Sequence, residues 1–166
     1  TFNLLKQSFE HLYKYDVAQV RLRSIKDPGD PFHSIQKYNN YWGSGYLKKI
    51  KRFFRPIKAK KLIGTGIYIE KEPHFKFSKY ISKLENGSYL ITSEIMNWSN
   101  LAIIVDRNFF LNVIIHEAEI TNSKKKINGF KNIEIELNKK WWRDKRWNLI
   151  ITNGLFKHSR VDNRGY

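Results

Sequence analysis

The spacing of apolar and polar residues along the chain predicts alternating helices and strands. Apolar side chains recur every three to four residues over 2–15, as they do on one face of a helix. Residues 17–24 alternate instead, with Val20 facing one side and Arg21 the other, which indicates a half-buried strand. The remaining pattern predicts helices over 35–54 and 107–119, and strands over 62–70, 88–96, 101–105 and 133–137.

After the first helix, this order gives two β-α-β halves, the arrangement of a ferredoxin-like sheet. We therefore expect an α+β domain with two helices packed on the sheet and a long basic hairpin loop within 55–79. Residues 1–16 are expected to form an N-terminal helical extension and 17–138 the domain itself. Residues 139–166 combine Trp with many cations and show no apolar periodicity, so they are expected to form a basic C-terminal extension.

The composition adds a strong charge imbalance to this picture. Lys and Arg total 31 against 15 Asp and Glu, for a formal net charge of +16. Such an imbalance opposes compaction, because the positive charges repel one another. The same charges favour binding to a polyanion, which releases counterions. Residues of AT-rich codons (Lys, Asn, Ile, Phe and Tyr) are abundant, which suggests an organellar genome or a low-GC microbe. The composition therefore favours nucleic acid as the partner.

Several other kinds of chemistry lack the residues that they need. The chain has no Cys, which excludes thiolate catalysis and Cys-ligated zinc, and no two of its His have the i, i+4 spacing of a helical metal site. Gly64-Thr65-Gly66 is too short for a phosphate-binding loop. No apolar run reaches the roughly 18 residues of a membrane helix, and residues 1–15 resemble no targeting peptide. We expect no active site, metal, cofactor, small-molecule substrate or membrane partner.

The cations form three groups that together make up the predicted RNA-binding surface. One group alternates with apolar residues in the first strand, the second flanks the loop together with one His, and the third lies in the C-terminal extension. The predicted RNA-binding residues are Arg21, Arg23, Arg55, Lys58, Lys60, Lys61, His74, Lys76, Lys79, Lys139, Lys140, Arg143, Arg146, Arg160 and Arg164. Because unpaired charges are costly to bury, these cations are expected to face solvent or phosphate.

Trp141, Trp142 and Trp147 interleave with the cations of the C-terminal extension. Alternating aromatic and cationic residues can stack on unpaired bases and pair with phosphates. The same Trp side chains can instead anchor the extension onto the domain. Both interpretations stay open at this point.

Five short blocks follow one another within residues 17–138. They are Val20-Arg21-Leu22-Arg23-Ser24; Arg55-Pro56-Ile57; Glu72-Pro73-His74 with Lys76 and Ser78; Glu94-Ile95 with Trp98, Leu101 and Ile104; and residues 126–137. In this order they resemble the universal small-subunit ribosomal protein S-ten family. They correspond to its first strand, the two ends of its basic loop, its Glu-Ile segment and its last strand.

The resemblance implies a structural protein of the small-subunit head. Its basic loop would enter ribosomal RNA, and its protein neighbours would be other proteins of the head. Together with the codon bias, the resemblance implies a mitochondrial ribosome and an organelle-encoded chain. It implies no catalytic role.

Two functions of other classes stay open. Arg21, Thr92-Ser93 and the pair Glu117 and Glu119 follow the order of the Arg, Ser-Thr-Ser and Glu-x-Glu motifs of ADP-ribosyltransferase toxins, which they resemble. One alternative is therefore such an enzyme, or another that acts on nucleic acid. The other is a basic accessory subunit of a mitochondrial membrane complex.

Overall fold

The computed structural model describes residues 2–28, 34–121, 126–127 and 130–157. Its helices are α1 Phe2–Lys14, α2 Ser34–Trp42, α3 Tyr46–Phe54, α4 Pro56–Lys60, α5 Pro73–Lys76, α6 Arg107–Phe109, α7 His116–Ile120, α8 Ile133–Leu137 and α9 Lys140–Asp144, with a 3-10 helix at Ile63–Tyr68 and a π-helix at Phe110–Ile115. Its strands are β1 Val17–Arg23, β2 Ser82–Lys83, β3 Tyr89–Thr92, β4 Ile103–Ile104, β5 Lys126–Ile127, β6 Phe130–Lys131 and β7 Asn148–Phe156.

Five of these strands form one mixed sheet in the order β2-β3-β7-β1-β4, and β5 pairs with β6 separately. The two central strands, β1 and β7, are parallel, whereas the other neighbours in the sheet are antiparallel. The α+β class predicted from the sequence is therefore confirmed. A ferredoxin-like sheet is antiparallel throughout, so the parallel central pair corrects the predicted strand arrangement.

Both faces of the central strands are covered. On one face, α1 packs on β1, and the buried residues there are Leu12, Val17, Val20, Leu22 and Ile150. The larger core lies on the other face and includes Trp98, Trp142, Leu149 and Ile151. Central strands that are buried on both faces have apolar residues in a continuous run, as β7 does, because neither face is left for solvent.

The predicted basic hairpin loop and the strand over 62–70 are both wrong. This region consists of α4, the 3-10 helix and α5, and it contributes Ile63, Ile67 and Phe77 to the core. The side chains of Ile63 and Ile67 in the 3-10 helix are both almost fully buried. Pro56 and Pro73 stand at the first positions of α4 and α5, where a helix tolerates the missing N–H.

The predicted closing strand over 133–137 is also wrong, because these residues form α8. Acidic residues in its first turn favour a helix N-terminus, and Leu137 is fully buried. The strand that completes the sheet is β7. The prediction of a separate C-terminal extension over 139–166 is therefore wrong for its described part, 139–157. These residues supply a central strand of the sheet and the buried Trp142.

Other predicted elements are found, several of them shorter than expected. The first helix and the first strand are confirmed as α1 and β1, but β1 is buried on both faces rather than half-buried. The helix over 35–54 is divided into α2 and α3 at Gly43–Gly45, and the helix over 107–119 is present as α6, the π-helix and α7. The strands over 88–96 and 101–105 are reduced to β3 and β4.

A chain that ends at Asn138 is expected not to fold, because it loses the strand between β1 and β3. Far-ultraviolet circular dichroism and urea titration of the truncated and full-length chains check this. A cooperative unfolding transition in the truncated chain would show that β7 is dispensable.

Point substitutions within β7 give a milder version of the same test. Ile150→Ala removes a fully buried side chain, and we expect it to lower the free energy of unfolding by about 2–5 kcal/mol. Asn153→Ala, at an exposed position of the same strand, is the control and should change this free energy by about 0.5 kcal/mol or less. Equal effects of the two substitutions would contradict a buried central strand.

Candidate nucleic-acid interface

A cleft of about 420 Å³ lies beside β1, between the 3-10 helix and the segment that follows β3. Its lining includes five cations and no carboxylate: Arg21, Arg23, Lys37, Lys61 and Arg143. Strand alternation places Arg21 and Arg23 on the same side of β1. The cleft therefore concentrates positive charge that no acidic residue in its lining offsets.

Arg21 is the most deeply buried of these cations, with 9% of its surface exposed, which corrects the expectation that it faces solvent. Its Nε donates to Gln19 Oε1 at 2.9 Å, and its Nη2 donates to the carbonyl oxygen of Asn97. Among the described residues, no carboxylate pairs with Arg21. Burial lowers the pKa of Arg21, while the nearby Tyr68 side chain and the negative charge of Glu134 oppose this shift. An anion bound in the cleft would further offset the cost of burying this charge.

Arg23 and Arg143 each contact backbone, amide or ring groups in the cleft. Arg23 Nε donates to the carbonyl oxygen of Pro28 at 2.7 Å, and its guanidinium lies 5.8 Å from the centre of the Tyr68 ring. Arg143 Nη2 donates to Asn97 Oδ1. Burial lowers the pKa of both arginines. These contacts orient the two guanidinium groups within the cleft.

Two further depressions continue from this cleft. The second, of about 790 Å³, lies between α4 and α9 and shares Lys61 and Arg143 with the cleft. The third, of about 510 Å³, lies at the junction of α3 and α4 and shares Ile57 and Lys61 with the second. We call the three together the basic groove, whose cations are Arg21, Arg23, Lys37, Arg55, Lys58, Lys60, Lys61, Lys139, Lys140, Arg143 and Arg146.

Glu94 holds two of the groove cations in place. Its Oε1 lies 2.5 Å from Lys60 Nζ and 3.6 Å from Arg146 Nη2. The backbone of Arg146 has a φ of 52°, a left-handed conformation that residues other than glycine seldom adopt. This turn immediately precedes β7, so Arg146 is presented at the groove by the entry into the central strand.

Most of the cations predicted to bind RNA come together in the basic groove. The predicted residues that line it are Arg21, Arg23, Arg55, Lys58, Lys60, Lys61, Lys139, Lys140, Arg143 and Arg146. Arg160 and Arg164 lie outside the described residues. Lys37 was not predicted, although it belongs to a stretch, 31–69, that contains no Asp or Glu.

His74, Lys76 and Lys79 do not line the groove, and their contacts within the described residues are with the fold. His74 Nδ1 lies 3.3 Å from a Glu72 carboxylate oxygen. Lys76 pairs with Glu70 at 2.8 Å, and Lys79 lies over an aromatic ring. These three side chains therefore support the surface around α5 rather than the groove.

Trp142 anchors its segment onto the domain, which is one of the two interpretations left open for the Trp residues. It is fully buried, its Nε1 donates to the carbonyl oxygen of Met96 at 2.8 Å, and its ring meets Trp98 edge-on at 5.4 Å. Trp141 and Trp147 are partly buried against the same core. Trp142 thus has no face open to a base, while neighbouring cations of α9 reach the groove.

The residues of the ADP-ribosyltransferase-like motif lie in different surroundings. Ser93 is buried and donates to the carbonyl oxygen of Trp142 at 2.6 Å, and Glu117 accepts from Thr121 at 3.3 Å. Neither Ser93 nor Glu117 lines the cleft that contains Arg21.

The described ranges contain neither a metal-binding cluster nor a membrane-spanning helix. No cluster of three or more His, Asp or Glu with metal-binding geometry occurs there. None of the helices there combines the length and the apolar content that crossing a bilayer requires.

Comparison with protein-family models, with curated proteins and with solved structures found no match.

Replacing Glu94 with Gln is expected to tighten RNA binding by up to about fivefold, since it removes a negative charge from the groove and releases Lys60 and Arg146 from pairing. Glu85→Gln makes the same charge change at an exposed position outside the groove and serves as the control. Fluorescence anisotropy with labelled RNA measures both affinities. Weaker binding by the Glu94 variant would mean that Glu94 is needed to position the cations.

Proposed function

We propose that the chain is a structural RNA-binding protein whose basic groove holds the phosphate backbone of ribosomal RNA. The observation that carries the proposal is the cleft beside β1, which gathers five cations and no carboxylate around the buried Arg21. An enzyme site for a small anion needs few cations, whereas this charge continues along the surface.

The extent of the groove favours a polymer as its ligand. Beyond the five cations of the cleft, the second depression adds four more and the third adds two, against the carboxylates of Glu94 and Asp144. Successive phosphates of a nucleic acid strand offer a series of negative charges that a row of Lys and Arg side chains can neutralise. Each neutralised phosphate releases counterions, so affinity should depend steeply on salt.

The setting we propose is the small subunit of a mitochondrial ribosome, with other proteins of the subunit head as neighbours. Support comes from the codon bias and from two blocks of the ribosomal resemblance. Residues 20–24 begin within β1 and supply Arg21 and Arg23 to the cleft, and the second block supplies Arg55 to the third depression. The last block ends in a helix where the family has a strand, so the proposal rests on the groove more than on the resemblance.

In this proposal the protein performs no catalysis. The guanidinium groups of Arg21, Arg23 and Arg143 are fixed by carbonyl, amide and ring contacts before RNA arrives. Such pre-positioning lowers the side-chain entropy lost on binding. The sheet acts as a rigid base for a surface that neutralises and positions the RNA backbone.

A variant with Lys58, Lys61, Lys140 and Arg146 all changed to Gln is expected to bind RNA more weakly and with less salt dependence. All four residues are exposed and line the groove, so the fold should tolerate the changes. Each lost phosphate contact should reduce the slope of log K against log salt by about 0.7 to 0.9, or about 3 for four contacts.

The control variant changes Lys6, Lys14, Lys71 and Lys79 to Gln. These exposed residues lie outside the groove, and the two variants have the same net charge. Its salt slope should stay close to that of the unchanged protein. If both variants lose the same slope, binding depends on net charge alone and the groove is not the site.

A further inference from the structure

One face of α3 is apolar and exposed. Five large side chains at the face of α3 and at the start of α4 are 72 to 80% exposed: Tyr46, Leu47, Phe53, Phe54 and Ile57. None of the residues of α3, all of which the structure describes, is buried. Contiguous exposed apolar surface of this kind marks an interaction site, because folding gains nothing from it.

This apolar face meets the end of the basic groove. The third depression is lined by Phe54 and Ile57 together with Arg55, Lys58 and Lys61. Lys61 also lines the other two depressions. A strand of RNA that follows the groove past Lys61 therefore arrives at the Phe54 ring.

The charge around α3 restricts what can cover this face. Residues 31–69 contain no Asp or Glu, and their cations are Lys37, Lys48, Lys49, Lys51, Arg52, Arg55, Lys58, Lys60 and Lys61. An occupant must therefore present negative charge and apolar surface together. A second copy of the chain would bring the same cations face to face, which mutual repulsion disfavours.

Single-stranded RNA meets both requirements. Its phosphates carry the negative charge, and its unpaired bases offer flat faces that stack on aromatic side chains. The Phe53 and Phe54 rings are 5.4 Å apart and nearly perpendicular, so Phe53 contacts Phe54 edge-on while Phe54 stays 74% exposed. Paired bases inside a duplex are already stacked and cannot use such a ring.

We infer that an unpaired base of the RNA strand in the basic groove stacks on Phe54. The ligand is then RNA with a single-stranded segment, while duplex RNA engages only the cations of the groove. This inference rests on the proposed function and adds the class of RNA that the groove selects.

The test compares a single-stranded RNA oligonucleotide with a duplex of equal phosphate number, using anisotropy and the full chain. Phe54→Leu keeps an apolar side chain but removes the aromatic face, and it should weaken single-strand binding by about 5- to 100-fold. Duplex affinity and the salt slope should not change, since no phosphate contact is lost. Phe54→Trp should restore single-strand binding.

Phe75→Leu is the matched control, because Phe75 is equally exposed at 75% and lies outside the groove. It should leave both affinities unchanged. Circular dichroism checks that each variant is folded.

Two outcomes would overturn the inference and leave the proposed function standing. One is a Phe54→Leu variant that binds single strands as tightly as the unchanged protein. The other is an equal loss for single strands and duplex. Failure of the unchanged protein to bind either RNA would refute the proposed function as well. In the first of these outcomes, weaker binding of anionic phospholipid vesicles by Phe54→Leu than by the unchanged protein would assign this face to a membrane surface instead.

Discussion

The parallel pairing of β1 with β7 joins segments from opposite ends of the chain, and both cores are built against it. Val20 pairs with Ile150, and both residues are fully buried. The Thr152 hydroxyl donates to the carbonyl oxygen of Arg21 at 2.9 Å. Gly154 has a φ of 64°, and a Cβ there would lie 2.1 Å from the carbonyl carbon of Arg23, so only glycine fits. This pairing fixes Arg21 and Arg23 as the wall of the cleft.

The same pairing explains how a small domain can hold so many cations on one side. Arg21 and Arg23 are attached to the most deeply buried strand pair, so their backbone positions are set by the core. Lys60 and Arg146 are tied to the segment after β3 through Glu94. The groove therefore concentrates like charges at a cost in stability, a cost that a bound polyanion would offset. Sites whose local arrangement opposes folding are the places where function is expected.

The sequence predicted those elements whose periodicity is local and strong. α1 has a helical stripe with Leu12 in the core, and β1 alternates between Val20 and Arg21, so both were found. β7 was missed because a central strand that is buried on both faces does not alternate. The alternation of Ile133 and Leu137 with Glu predicts a strand, but the acidic residues lie in the first turn of α8. In these cases burial decides the structure, and burial depends on distant partners.

The exposure of most of the cations was easier to predict than the strand arrangement, for a physical reason. Cations that are dense in the sequence must reach the surface in any fold, so Arg55, Lys58 and Lys61 were identified even though their supposed loop is helical. These cations meet Arg143 only because α9 lies beside the 3-10 helix, and no local sequence pattern shows that placement. The exposure of Phe54 was likewise not predicted, although the absence of acidic residues over 31–69 was a usable signal.

Ultraviolet crosslinking of the full chain to RNA, followed by mass spectrometry of the crosslinked peptides, tests the central claim most directly. The account predicts crosslinks within residues 54–61 and 139–146, because these two segments face each other across the groove. Crosslinks confined to residues 71–85, around α5 and β2, would contradict it, since none of those residues lines the basic groove.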